Sequence, residues 1–126
     1  MTATFLILSG DGINCEQETL QAFKTVGIDG KIVHINDLVS NKSMLQDFQG
    51  MALPGGFSFG DELGSGQVLA LKIKKQLFQE FYRFVDDNRP IIGICNGFQV
   101  LTRLGLLPDH QSERMLSLTH NSSGKF

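Results

Sequence analysis

Ile91-Ile92-Gly93-Ile94-Cys95-Asn96-Gly97-Phe98-Gln99 changes its period midway. The apolar run Ile91 to Ile94, held off from the preceding residues by Asn88-Arg89-Pro90, reads as a short buried strand. A helical pattern follows at once and stops near Gly105 and Pro108. The junction has the form Gly-x-nucleophile-x-Gly, a tight turn whose small flanking residues let strand and helix backbones pass closely.

The same alternation extends outward on the N-terminal side. Pro54-Gly55-Gly56-Phe57-Ser58-Phe59-Gly60-Asp61-Glu62-Leu63-Gly64-Ser65-Gly66 is a glycine-rich loop between a strand at Met51 to Leu53 and the longest helical pattern in the chain. In that pattern Ala70, Ile73, Leu77, Phe81, Phe84 and Val85 fall on one apolar face, and Lys72, Lys74, Lys75, Glu80 and Arg83 occupy the rest. Thr4 to Ser9 reads as a first strand ending at Gly10-Asp11-Gly12. A helix follows, with Asn14 as cap and Gln17 as its capping-box partner. Lys31 to Ile35 is a further strand, and one helical turn is expected around Met44 to Phe48. Strands alternating with helices imply right-handed βαβ units and a parallel sheet covered on both faces, with ligands at the carboxyl ends of the strands. The glycine-bearing loops all follow strands and therefore share that edge. No repeat or low-complexity linker divides the 126 residues, so one domain is expected.

Composition narrows the function. The chain is 41% hydrophobic and 19% charged, an ordinary globular balance, with a formal net charge of −2. That charge argues against a nucleic acid or an anionic membrane as partner. No run approaches the roughly 20 apolar residues of a membrane span, and the apolar start lacks the basic flank of a signal peptide. The expectation is a soluble, cytoplasmic protein. Cys15 and Cys95 lie far apart without metal-ligand spacing and read as free thiols. His34, His110 and His120 form no cluster, and no metal is expected.

A thiol at a helix N-terminus faces unpaired N–H groups and the positive end of the helix dipole, an environment that favours thiolate. Cys95 is the candidate nucleophile on that ground. The Asn96 backbone N–H is placed to bind an oxyanion, with a second donor from Gly55 or Gly56, where no side chain blocks approach. Acyl transfer suits such a set. The spacing is equally that of a structural cysteine ending a core strand, since cysteine is among the most buried residue types. Cys15 also precedes a helix but lacks flanking glycines, which favours a structural role. A phosphate cradle is a weak reading of Gly55 to Gly66, because no Gly-Lys-Ser/Thr and no Gly-x-Gly-x-x-Gly is present.

Gly93-Ile-Cys-Asn-Gly-Phe-Gln99 resembles the Gly-x-Cys-x-Gly-x-Gln motif of the class I, or triad, glutamine amidotransferases. Together with Pro54-Gly-Gly-Phe-Ser-Phe-Gly-Asp61, Asn121-Ser-Ser-Gly-Lys-Phe126 and Gly12-Ile-Asn-Cys15, it is similar to the branch that serves as glutaminase of phosphoribosylformylglycinamidine synthases. The resemblance implies a flavodoxin-like, doubly wound, mainly parallel α/β sheet over residues 1–126. It implies Cys95 as nucleophile, Gly55, Gly56 and Asn96 as oxyanion donors, and Gln99 with Ser123, Gly124 and Phe126 as the holders of glutamine. Ammonia released from glutamine would pass to a synthetase subunit or domain, which uses ATP and Mg, while this domain binds no cofactor. Such enzymes complete a triad with a His-x-Glu pair beyond the nucleophile. None of His34-Ile-Asn, His110-Gln-Ser or His120-Asn-Ser matches it. The chain is therefore expected to be the N-terminal portion of such a domain, incomplete at its C-terminus, inactive alone, and prone to self-association through uncovered sheet. Two other readings compete: a non-catalytic docking module for a synthetase, and another cysteine-elbow hydrolase on the same kind of sheet.

Overall fold

The structure, a computed structural model, describes residues 2–110 and 114–126. Four strands run parallel in the order β2-β1-β3-β4: β1 (Thr4–Ser9), β2 (Asp29–His34), β3 (Gly50–Leu53) and β4 (Ile91–Gly93). The first connection winds one way from β1 and the later ones the other way, which is the doubly wound arrangement expected. Register places Leu6 beside Met51 and Leu53 beside Gly93, so the strand ends that lead into the three glycine-bearing loops sit at one edge.

Strand alternation divides the side chains between two faces. Leu6, Leu8, Met51 and Leu53 join a single core with Leu69, Ile73, Leu77, Phe81, Phe84, Val100, Leu101 and Leu104. These come from α3 (Gln67–Gln76), α4 (Phe78–Asp86) and α5 (Asn96–Leu104). On the opposite face α1 (Glu16–Thr25) packs on β1 and β2. Ile91 packs against the core, whereas its neighbour Ile92, turned to the other face, is 47% exposed. Over β4, cover is thus fuller on one face than on the other.

Several local expectations change. The long helical pattern is two helices broken at Leu77, whose φ of −134° is not helical. No glycine or proline marks the break, and the chain stays joined through Leu77 N–H to Ile73 O (2.8 Å) and Phe81 N–H to Leu77 O (3.0 Å). The break leaves Leu77 fully buried in the same stripe as Ile73 and Phe81. Strand β2 begins at Asp29 and stops at His34, because Ile35 opens a short helix, α2 (Ile35–Ser40), that buries Ile35 and Leu38. His34 Nδ1 accepts from Asn36 N–H, an end signal absent from the usual Ser, Thr, Asp and Asn caps. A 3-10 segment, Lys42–Asp47, takes the place of the turn expected near Met44. Asn14 does not cap α1: Cys15 occupies the cap position without a side-chain bond, and Asn14 Oδ1 accepts from the Cys15 thiol instead.

Helix α5 is set against the sheet by glycine. A Cβ on Gly97 would stand 1.9 Å from the Leu53 carbonyl oxygen, and one on Gly93 would stand 2.7 Å from the Gly97 oxygen and from Leu101 Cδ1. Both clashes involve backbone, which cannot give way as a side-chain tip would. Gly97→Ala is expected to destabilise by about 1–3 kcal/mol or more, the range of core overpacking. A urea midpoint unchanged by Gly97→Ala would contradict the close crossing.

Candidate active site

Strand β4 runs straight into the elbow. Ile94 N–H bonds Leu53 O at 3.0 Å, continuing the ladder one residue beyond the strand. The chain then reverses at Cys95, whose φ of 54° and ψ of −113° lie where side-chain-bearing residues rarely go. Gly97 N–H to Ile94 O (2.9 Å) and Gln99 N–H to Cys95 O (3.1 Å) fix the turn from behind. Cys95 is exposed as a result, which settles against the reading of it as a core cysteine.

The Pro54–Gly66 loop comes up beside it. A Cβ on Gly55 would lie 3.4 Å from Cys95 Cβ and 3.6 Å from Cys15 Sγ, so this glycine sits between the two cysteines. Gly55 O accepts from the N–H groups of Asn14 and Cys15, both at 3.3 Å, and Phe57 N–H donates to Gly12 O at 2.7 Å. Gly56, at φ 140°, has no room for a side chain: a Cβ would be 2.7 Å from Gly12 O. Among the described residues, the N–H groups of Gly55, Gly56 and Asn96 donate to no protein acceptor. Three donors are therefore available on the same rim as the thiol.

Asn96 contributes more than its backbone. Its side chain, in a residue only 2% exposed, accepts from Ser58 N–H (3.0 Å) and donates to Asp61 Oδ1 and Gln99 Oε1 (both 3.1 Å). The network reaches a stretch where Phe59, Asp61 and Leu63 all have positive φ. At the loop's far end Arg103 donates to Ser65 O and Gln67 Oε1, both at 2.6 Å. Sequence reasoning missed Ser58 and Asp61. Both lie inside the quoted glycine-rich motif, but their partner is 35 or more residues away and no local pattern announces it.

Gln99 borders a cleft of about 350 Å³ lined also by Ser65, Thr102, Arg103, Arg114, Thr119 and His120. Gly124 and Phe126 line a neighbouring hollow that shares Thr119 and His120 with it. Ser123 lies in the same exposed segment, and its hydrogen bonds stay within that segment, to Lys125. The structure thus brings Gly55, Asn96 and Gln99 to Cys95, while Gly124 and Phe126 line a hollow that adjoins the Gln99 cleft through Thr119 and His120. No histidine bonds to Cys95 among the described residues. His34 caps α2 and lies 4.0 Å from Asp11, and His110 pairs with Asp86. Two residues of His110-Gln-Ser fall outside the described residues. No group of three or more His, Cys, Asp or Glu is arranged to hold a metal among the described residues, and no helix there is long and apolar enough to cross a membrane.

Comparison with known proteins finds relatives of the chain. A phosphoribosylformylglycinamidine synthase subunit PurQ from Methanococcus maripaludis is 46% identical over 129 residues, covering 100% of this chain and 48% of the relative. The corresponding subunit from Dehalococcoides mccartyi is 46% identical over 122 residues, again 48% of its length. The chain spans about half the length of the curated relatives it matches. Among solved structures, PurLQS from Thermotoga maritima superposes with a TM-score of 0.78 at 32% identity, covering 99% of this chain and 51% of that one. A protease I from Bacteroides thetaiotaomicron, at 18% identity and TM-score 0.62, shares the fold. The family description of a CobB/CobQ-like glutamine amidotransferase domain matches residues 2–126, and the chain belongs to that family.

Proposed function

We propose that this chain carries the nucleophile half of a glutaminase site serving phosphoribosylformylglycinamidine synthesis. The observation that carries the reading is the strained Cys95, held at φ 54° beside three unspent N–H donors. Strain of this kind costs on the order of 1–3 kcal/mol and persists where the surroundings over-determine it. Here it presents the thiol outward from a fixed rim. The Cys95 sulfur attacks the side-chain carbonyl carbon of glutamine, and the oxygen that gains charge is received by N–H groups of Gly55, Gly56 or Asn96. The C–N bond then breaks, the amide nitrogen takes up the proton that the thiol gave up and leaves as ammonia, and water hydrolyses the thioester to glutamate and free thiol.

Proton transfer in these steps is typically worth about 10²–10⁴-fold. The resemblance assigns it to a His-x-Glu pair, a pattern that the 126 residues do not contain. Gln99, with Ser123, Gly124 and Phe126, is the proposed glutamine-holding set. Support for the pathway comes from the relatives, which are named as subunits of the synthase. The proposed partner is its synthetase, which uses the ATP and Mg, and the cytoplasm is the compartment this reading implies. Cys15 is not the nucleophile in this scheme: its N–H is spent on Gly55 O and its thiol on Asn14.

Treatment with a diazoketone analogue of glutamine is expected to add one adduct at Cys95, mapped by mass spectrometry, and none in Cys95→Ala. Modification of Cys15 in its place would overturn the assignment. In the full-length assembly with its synthetase, glutamine-dependent amidine formation should vanish in Cys95→Ala while synthesis from added ammonia continues. Loss of both would place Cys95 outside the glutaminase step. Because a glycine tolerates φ 54° and ψ −113°, Cys95→Gly should be more stable than Cys95→Ala by about 1 kcal/mol or more. Equal melting curves for the two would show the elbow to be unstrained.

A further inference from the structure

We infer that the Asn96 side chain is a positioning residue that sets which end of the Gln99 amide faces the site, an inference that rests on the glutaminase reading. The argument begins at a group with no choice. Ser58 N–H is a backbone donor, so the Asn96 atom 3.0 Å away must be the oxygen. The other end of the Asn96 amide is then the nitrogen, with two protons to give. One goes to Asp61 Oδ1, which as a carboxylate oxygen only accepts, and the other to Gln99, which must therefore offer Oε1. Gln99 Nε2 is the atom left over. It is a donor on a residue that borders the cleft of about 350 Å³ and lies one helical turn from Cys95, suited to an acceptor oxygen of the glutamine substrate.

The orientation is thus passed from backbone to Asn96 to Gln99, inside a residue 2% exposed to water. A second amide at position 99 without this relay would turn freely, since its two ends are nearly the same size. The same relay ties Asp61 to the first turn of α5, where Asn96 lies three residues before Gln99 and directly after Cys95. Asn96 touches no reacting atom with its side chain. Its influence runs through Gln99.

The test compares two electrophiles on Cys95 of the full chain: the diazoketone analogue of glutamine, which must be recognised, and iodoacetamide, which need not be. Asn96→Asp keeps the acceptor for Ser58 N–H but has no proton for Asp61 or Gln99, so Gln99 reverses. The expected result is a roughly ten- to hundredfold slower reaction with the analogue, the scale of one well-placed hydrogen bond to a charged or polar group. Compared at a pH high enough that the thiol is fully ionised in every variant, so that the added carboxylate does not alter the thiolate fraction, the iodoacetamide rate should stay within about threefold, because the elbow and its exposure are retained. Gln99→Glu, which still accepts from Asn96 but offers no outward donor, should show the same selective loss, and it carries the test if Asn96→Asp melts early. Unchanged analogue rates in either folded variant would overturn the inference, as would an equal fall with both electrophiles, which would make Asn96 a structural support of the elbow. Failure of the unsubstituted chain to react with the analogue at Cys95 would instead remove the glutaminase reading itself, and this inference with it.

Discussion

The backbone crossing at Gly97 and Leu53 is the constraint on which the site depends. A Cβ at Gly97 would meet the Leu53 carbonyl at 1.9 Å, so α5 lies as close to β3 as two backbones can come. That closeness leaves no length for a relaxed turn between β4 and α5. Cys95 takes up the difference in its own dihedrals, and the same reversal carries its thiol outward and leaves the Asn96 N–H without an intrahelical acceptor. Packing, strain and chemistry are one arrangement here. The core that holds α5 down, through Val100, Leu101 and Leu104, is what opposes relaxation of the strained residue.

A second close approach completes the rim. Gly12 and Gly56 interlock so tightly that a Cβ on either would meet backbone of the other's loop, at 1.9 Å from Phe57 O and 2.7 Å from Gly12 O. This locks the loop after β1 to the loop after β3 and pins Gly55 between Cys15 and Cys95. Rigid donors suit oxyanion binding because no reorganisation is needed when charge develops. Cys15 serves this lock from the far side, through its N–H to Gly55 O, which gives this cysteine near a helix start a structural role.

Legibility differs from residue to residue for reasons of distance along the chain. The elbow was readable because Gly93, Cys95 and Gly97 are neighbours, and the strand and helix flanking them announce themselves by period. The first strand, Thr4–Ser9, was read to its ends for the same reason. The break at Leu77 was not readable, since it carries neither glycine nor proline and its cause is the burial of Leu77 in the core. Helix α2 was missed because its cap is His34, a residue whose side chain accepts only in this setting. Asn14 and Gln17 made a plausible capping box on local grounds, and the loop after β3 overrode it by drawing Asn14 N–H to Gly55.

By itself the sequence determined the parallel α/β class, the shared edge of the three glycine-bearing loops, and the tight strand-to-helix turn at Cys95, whose exposure the structure then decided. These follow from periodicity and from glycines placed within a few residues of one another, which are local physical signals. Only the tertiary structure decided that Gly55 stands between Cys95 and Cys15, and that Asn96 reaches Ser58 and Asp61 across 35 or more residues. Those facts depend on how separate segments pack, and a hydrogen bond between distant residues leaves no period in the chain that makes it.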